Sequence, residues 1–148
     1  MNKVRLFISL SWNAKRIFLE SFLYLAWGRF LKSIPFSKVA PYLGEHMEET
    51  PFTLESSHKK ILSEISQAIN ITSKYTFWES QCLVKAIAAM KMLERRDIES
   101  TLYLGTAKDE NGKLVAHAWV RSGPFYVTGF EIMDKFIVVG KFAKRLGG

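Results

Sequence analysis

Apolar residues recur at helical spacing through the first third of the chain. Ile17, Phe18, Phe22, Leu25 and Leu31 follow that period within residues 13–33, and Leu19, Leu23, Tyr24, Ala26 and Trp27 widen the apolar face. A helix apolar over most of its circumference wants burial on several sides. Asn13 stands where an N-cap belongs, and Pro35 ends the run. Residues 41–58 carry Pro, Gly, Glu and Ser and read as a connector. A second helix is predicted over 58–71, with Ile61, Leu62, Ile65, Ala68 and Ile69 on one face. A third runs from about Ser80 to Glu94, compact in Ala86, Ala88, Ala89, Met90, Met92 and Leu93. Arg95-Arg96-Asp97 closes it, with cations at the negative end of the helix dipole.

The period then changes to two. Ser100 to Ala107 alternates apolar and polar residues, and Asp109-Glu110-Asn111-Gly112 supplies a hairpin turn. Leu114 to Arg121 is the return strand, Ser122-Gly123-Pro124 turns the chain, and Phe125 to Gly129 follows. Residues 136–142 suit a strand or a buried helix equally. Helices first and an antiparallel sheet afterwards give an α+β class. At 148 residues the chain is read as one domain. Residues 1–44 form a basic, aromatic helical segment and 58–148 the core.

The net charge of +7 changes this picture because it is local. Residues 1–44 hold Lys3, Arg5, Lys15, Arg16, Arg29, Lys32 and Lys38 against Glu20 alone, while the rest is nearly neutral. The basic residues alternate with large aliphatics and no nucleic-acid reader motif is present, so no nucleic-acid partner is expected. Ile17 to Leu31 is too short to span a bilayer and contains Glu20 and Arg29. The expectation is a helix packed on its domain or a partner; peripheral membrane contact is the alternative. No signal-peptide pattern follows Lys3 and Arg5, which gives a cytoplasmic reading. His46, Glu48 and Glu49 match no metal-ligand spacing, His58 reads as solvated, and no metal or cofactor is expected.

Candidate chemistry centres on the single cysteine. Cys82 falls at the start of the third helix, where unpaired amides and the positive dipole end favour a thiolate. The same residue also suits a buried apolar cysteine. His117 sits 35 residues on, in Leu114-Val115-Ala116-His117-Ala118-Trp119-Val120, a strand that otherwise reads as core. It suits either a satisfied core histidine or a general base for Cys82. The Cys82 backbone N–H is the obvious oxyanion donor, with the side chain of Gln81 or Trp78 as a second. Trp119 is expected on the sheet face opposite His117, as core.

Residues 77–142 resemble the peptidase region of the lasso-peptide maturation B proteins, a branch of the transglutaminase-like superfamily. The residues that carry this are Cys82-Leu83, Ala86, Ala89, Met92-Leu93, Arg95-Arg96, Ile98, Leu102 to Gly105, Gly112, Leu114, Ala116 to Val120, Gly123, Val127, Gly129 and Phe136. Ser33-Ile34-Pro35-Phe36 is similar too. The resemblance implies a papain-like cysteine peptidase that cuts the leader from a lasso precursor peptide before a separate cyclase closes the macrolactam. It also implies a separate leader-recognition protein as partner, with the cyclase as a further one. The aromatic, basic segment is the expected docking surface.

The family's usual third residue is an Asp, and its column falls near Thr128, where no carboxylate stands. With the turn centred near Gly123, Gly129 lies opposite His117 and strand alternation carries Glu131 to the face of His117. Asp134 is the second candidate. Two further readings stay open: a transglutaminase-type acyltransferase using the same Cys82 and His117, and an inactive adaptor that holds a partner or membrane.

Overall fold

The computed structural model describes residues 11–53, 58–75 and 82–145, without the side chains of Glu131 and Ile132. Helix α1 runs Trp12–Lys32, α2 Phe36–Leu43, α3 Lys59–Thr72 and α4 Cys82–Arg95. The strands are β1 Glu45–His46, β2 Ser100–Lys108, β3 Leu114–Ser122, β4 Phe125–Thr128 and β5 Ile137–Lys144. They form one antiparallel sheet in the order β1-β5-β2-β3-β4. The α+β architecture expected from the periodicity is the one observed.

Helix α4 is the centre of the molecule. Val84, Ala86, Ile87, Ala88, Ala89, Met90, Met92 and Leu93 are buried around it. Alanines let its neighbours come close, and Gly28 of α1 does the same from the other side. A Cβ at Gly28 would stand 2.9 Å from the Val84 carbonyl oxygen, so only glycine permits this approach. Leu25, Leu62, Ile65 and Ile69 join this core from α1 and α3, and Leu102, Ala118, Val120, Val127 and Phe142 join it from the sheet. Ser21 Oγ donates to Thr72 Oγ1 at 2.9 Å, satisfying both hydroxyls where α1 meets α3.

The helix ends show where sequence reading slipped. Ser11, not Asn13, caps α1: its Oγ accepts from the Ala14 N–H at 3.2 Å. Pro35 does not only stop α1; it opens α2, which the composition of 41–58 concealed. Asp97 closes α4 with φ +57°, while the Ile98 N–H returns to the Leu93 carbonyl. Residues 137–144 are strand, and 130–135 form a 3₁₀ turn that alternation alone does not signal.

Candidate functional site

Cys82 is the first described residue of α4 and is partly exposed. The side chain packs against the core cluster shared by α4 and the sheet. Trp78 and Gln81, the candidate oxyanion donors, lie outside the described residues.

His117 stands on β3 opposite Gly105 of β2 and is 8% exposed. Its Nε2 is 3.0 Å from the Gly129 carbonyl oxygen. A carbonyl can only accept, so Nε2 carries the hydrogen, and in the neutral ring Nδ1 keeps the lone pair. The ring lies between Trp119, at 5.6 Å between centroids, and Phe136, at 5.0 Å. Gly129 adopts φ +74°, and a Cβ there would come within 2.7 Å of Trp119 Cβ and 3.0 Å of His117 Nε2. A glycine is therefore required to bring this carbonyl onto the imidazole.

Helix α4 passes through a short turn into β2, and His117 pairs with Gly105 of that strand. Ala118 and Val120 enter the core against which Cys82 packs. Alternation puts His117, Trp119 and Arg121 on the outer face. No hydrogen bond joins Cys82 to His117 among the described residues. Trp119 shares the face of His117 and stacks on it, contrary to the expectation from sequence; positions two apart on a strand point the same way.

The Gly129 carbonyl meets the His117 ring, but Val120 pairs with Thr128, so Gly129 is not the cross-strand partner of His117 that the hairpin count suggested. The chain leaves β-structure there, so alternation cannot carry the argument on to Glu131. A register shift at Val120/Arg121 adds to this. The side chain of Glu131 is outside the described residues. Asp134 is exposed, and Thr128 is buried at the end of β4. The group bonded to Nε2 is thus a backbone carbonyl.

The outer face holds a second construction that sequence reading missed. Arg121 is fully buried. Its Nε donates to Tyr103 Oη at 3.0 Å, Nη1 to the carbonyls of Pro51 at 3.1 Å and Gly123 at 2.7 Å, and Nη2 to that of Thr50 at 2.7 Å. Phe52 covers the guanidinium at 3.6 Å. Glu49 accepts from Tyr103 Oη at 3.1 Å and from Lys141 Nζ at 2.7 Å. Lys141 foremost, with Tyr103 and Arg121 adding and burial opposing, holds the Glu49 carboxyl below its ordinary value. The segment 49–52 is thereby strapped across the sheet. The His46 ring, meanwhile, packs on Phe142. Among the described residues no cluster of three His, Cys, Asp or Glu side chains could hold a metal ion.

A cavity of about 790 Å³ opens between α1, α3 and the far end of α4, lined by Arg16, Glu20, Lys60, Glu64 and Arg96 among others. It is at the opposite end of α4 from Cys82. Its floor is an ion pair: Arg96 grips Glu20 in a fork, with both N···O distances 2.6 Å. The Glu20 hydrogen bond, with burial opposing, raises the Arg96 pKa further.

Cys82 on α4 is partly exposed, and His117 stands on the antiparallel sheet packed on that helix. The model of the transglutaminase-like superfamily matches residues 25–140, and the chain belongs to that superfamily. No curated protein and no solved structure is matched by the chain.

Proposed function

We propose that the chain is a cysteine peptidase that removes the leader from a lasso-peptide precursor. The observation that carries the reading is Cys82 itself: a partly exposed thiol on the first described turn of α4, inside the segment that matches the superfamily. The Cys82 thiolate adds to the carbonyl at the leader–core junction, forming a C–S bond. The tetrahedral adduct collapses, the C–N bond breaks, and His117 gives its proton to the departing amine. Water, deprotonated by His117, then hydrolyses the thioester and frees the leader carboxylate and the thiol. The Gly129 carbonyl takes the orienting part that a carboxylate plays in other triads, holding the Nε2–H and leaving Nδ1 for proton transfer. The chemistry requires the imidazole to come within hydrogen-bond reach of Sγ during turnover.

A second reading has its own support. His117 is turned to the outer face and held by Gly129, which suits an inactive adaptor that uses its basic aromatic helix to hold a partner. The discriminating experiment is cleavage of a candidate precursor with and without a leader-recognition protein, for wild type, Cys82→Ala and His117→Ala. The peptidase reading expects a core peptide from wild type only, and a leader bearing a free carboxyl terminus. An amine-capped leader points to transglutaminase-type transfer. Cleavage by Cys82→Ala, or none by wild type in the complete mixture, sinks the peptidase assignment.

A further inference from the structure

The outward face of α1 carries large apolar side chains that nothing among the described residues covers. Trp12, Leu19, Leu23, Trp27 and Phe30 are each 45–73% exposed. Their spacings are seven, four, four and three residues, so they form one stripe along the helix. With 21 residues, α1 presents this line over about 30 Å. The opposite side is fixed: Ser21, Leu25 and Gly28 are buried toward α3 and α4. The helix thus has two apolar sides, one used by the core and one free.

Charge decides what covers the free side. Lys15, Arg16 and Arg29 lie on the same helix, and no ion pair among the described residues engages them. Glu20, the one acidic residue between 11 and 44, is turned inward and bound by Arg96, with Arg95 3.8 Å away. The exposed side of α1 therefore combines an apolar line with uncompensated positive charge. No helix among the described residues is long and apolar enough to cross a membrane. A tryptophan at one end and another near the far end suit a boundary between hydrocarbon and water.

We propose that α1 seats the protein on an anionic lipid surface, lying in the headgroup plane with Trp12, Leu19, Leu23, Trp27 and Phe30 inserted. The cations bind the lipid headgroups, and α3 and the sheet face solution. This inference does not depend on the peptidase reading.

The test is co-sedimentation of the full chain with phosphatidylcholine vesicles, with and without phosphatidylglycerol. Partitioning onto the anionic vesicles is expected at low salt, weakened at about 0.5 M salt, where charge attraction is screened. A Leu19→Glu/Leu23→Glu variant, checked for an unchanged circular dichroism spectrum, loses roughly tenfold or more of that binding. A Lys15→Glu/Arg16→Glu variant, changed only outside the core, tests the charge separately and loses the preference for anionic lipid. Failure to bind anionic vesicles at low salt overturns the proposal. So does equal binding by both variants. Capture of a leader-recognition protein through the stripe, without vesicle binding, makes the surface a protein dock and the lipid assignment wrong.

Discussion

Replacing Arg121 by Met keeps much of its length and removes the guanidinium. Four strong contacts then vanish, to Tyr103, Thr50, Pro51 and Gly123, and three backbone carbonyls lose a donor. Hydrogen bonds to a charged group contribute about 1.5–3 kcal/mol each, or roughly 6–12 kcal/mol gross. Burying the guanidinium costs several kcal/mol, which the substitution gives back. Glu49 loses Arg121 but keeps Lys141, so no buried charge is stranded. The net loss is about 3–5 kcal/mol. For a chain of this size that is a fall in melting temperature of roughly 10–15 °C. Denaturant unfolding followed by circular dichroism measures it directly. Arg121→Lys keeps the charge but not the fork, and its stability should lie near that of Arg121→Met. An Arg121→Met variant within about 1 kcal/mol of wild type, or an Arg121→Lys variant equal to wild type, refutes the clamp.

Glu49 gives a pH dependence. Its folded pKa lies below the ordinary 4.5, so it contributes stability above that pH, lost as the pH falls through the folded value. The stability difference between wild type and Glu49→Gln should be greatest near neutrality and shrink as the pH drops below about 4.5; a pH-independent difference contradicts the assignment. Glu20→Ala removes the fork on Arg96, and because Arg96 still reaches water the cost should be about 2–3 kcal/mol by denaturant unfolding, below that of a sealed pair. A change under about 0.5 kcal/mol makes the pair ornamental. Nitrogen-15 NMR of neutral His117 should show the Nε2–H tautomer set by the Gly129 carbonyl, and the Nδ1–H form is the contrary result. Gly129→Ala should cost about 2–4 kcal/mol, from left-handed strain and the contact with Trp119, measured by the same unfolding assay; wild-type stability speaks against it.

The elements legible in the sequence were those whose period repeats. Ile61 to Ile69 and the alanines of α4 announce helices, and Asn111-Gly112 announces the β2–β3 hairpin. What escaped depends on contacts distant in sequence. Glu49 and Thr50 look like loop residues until Arg121, some seventy positions away, gathers them. The failure of alternation past Gly129 has a local cause: a left-handed residue ends the strand and a 3₁₀ turn follows. The two chemistry-bearing residues could be picked out as a helix-start cysteine and a core-strand histidine. Which sheet face His117 takes was not legible, because both faces of β3 are buried beyond Ala116.

Acylation of the Cys82 sulfur is the central step of the proposed reaction. Wild-type protein mixed with precursor peptide and leader-recognition protein, quenched in acid and weighed intact, should gain the mass of the leader less one water. Digestion should map that mass to Cys82, and Cys82→Ala should neither gain it nor release core peptide. Core peptide from the alanine variant, or the added mass on another residue, contradicts the account.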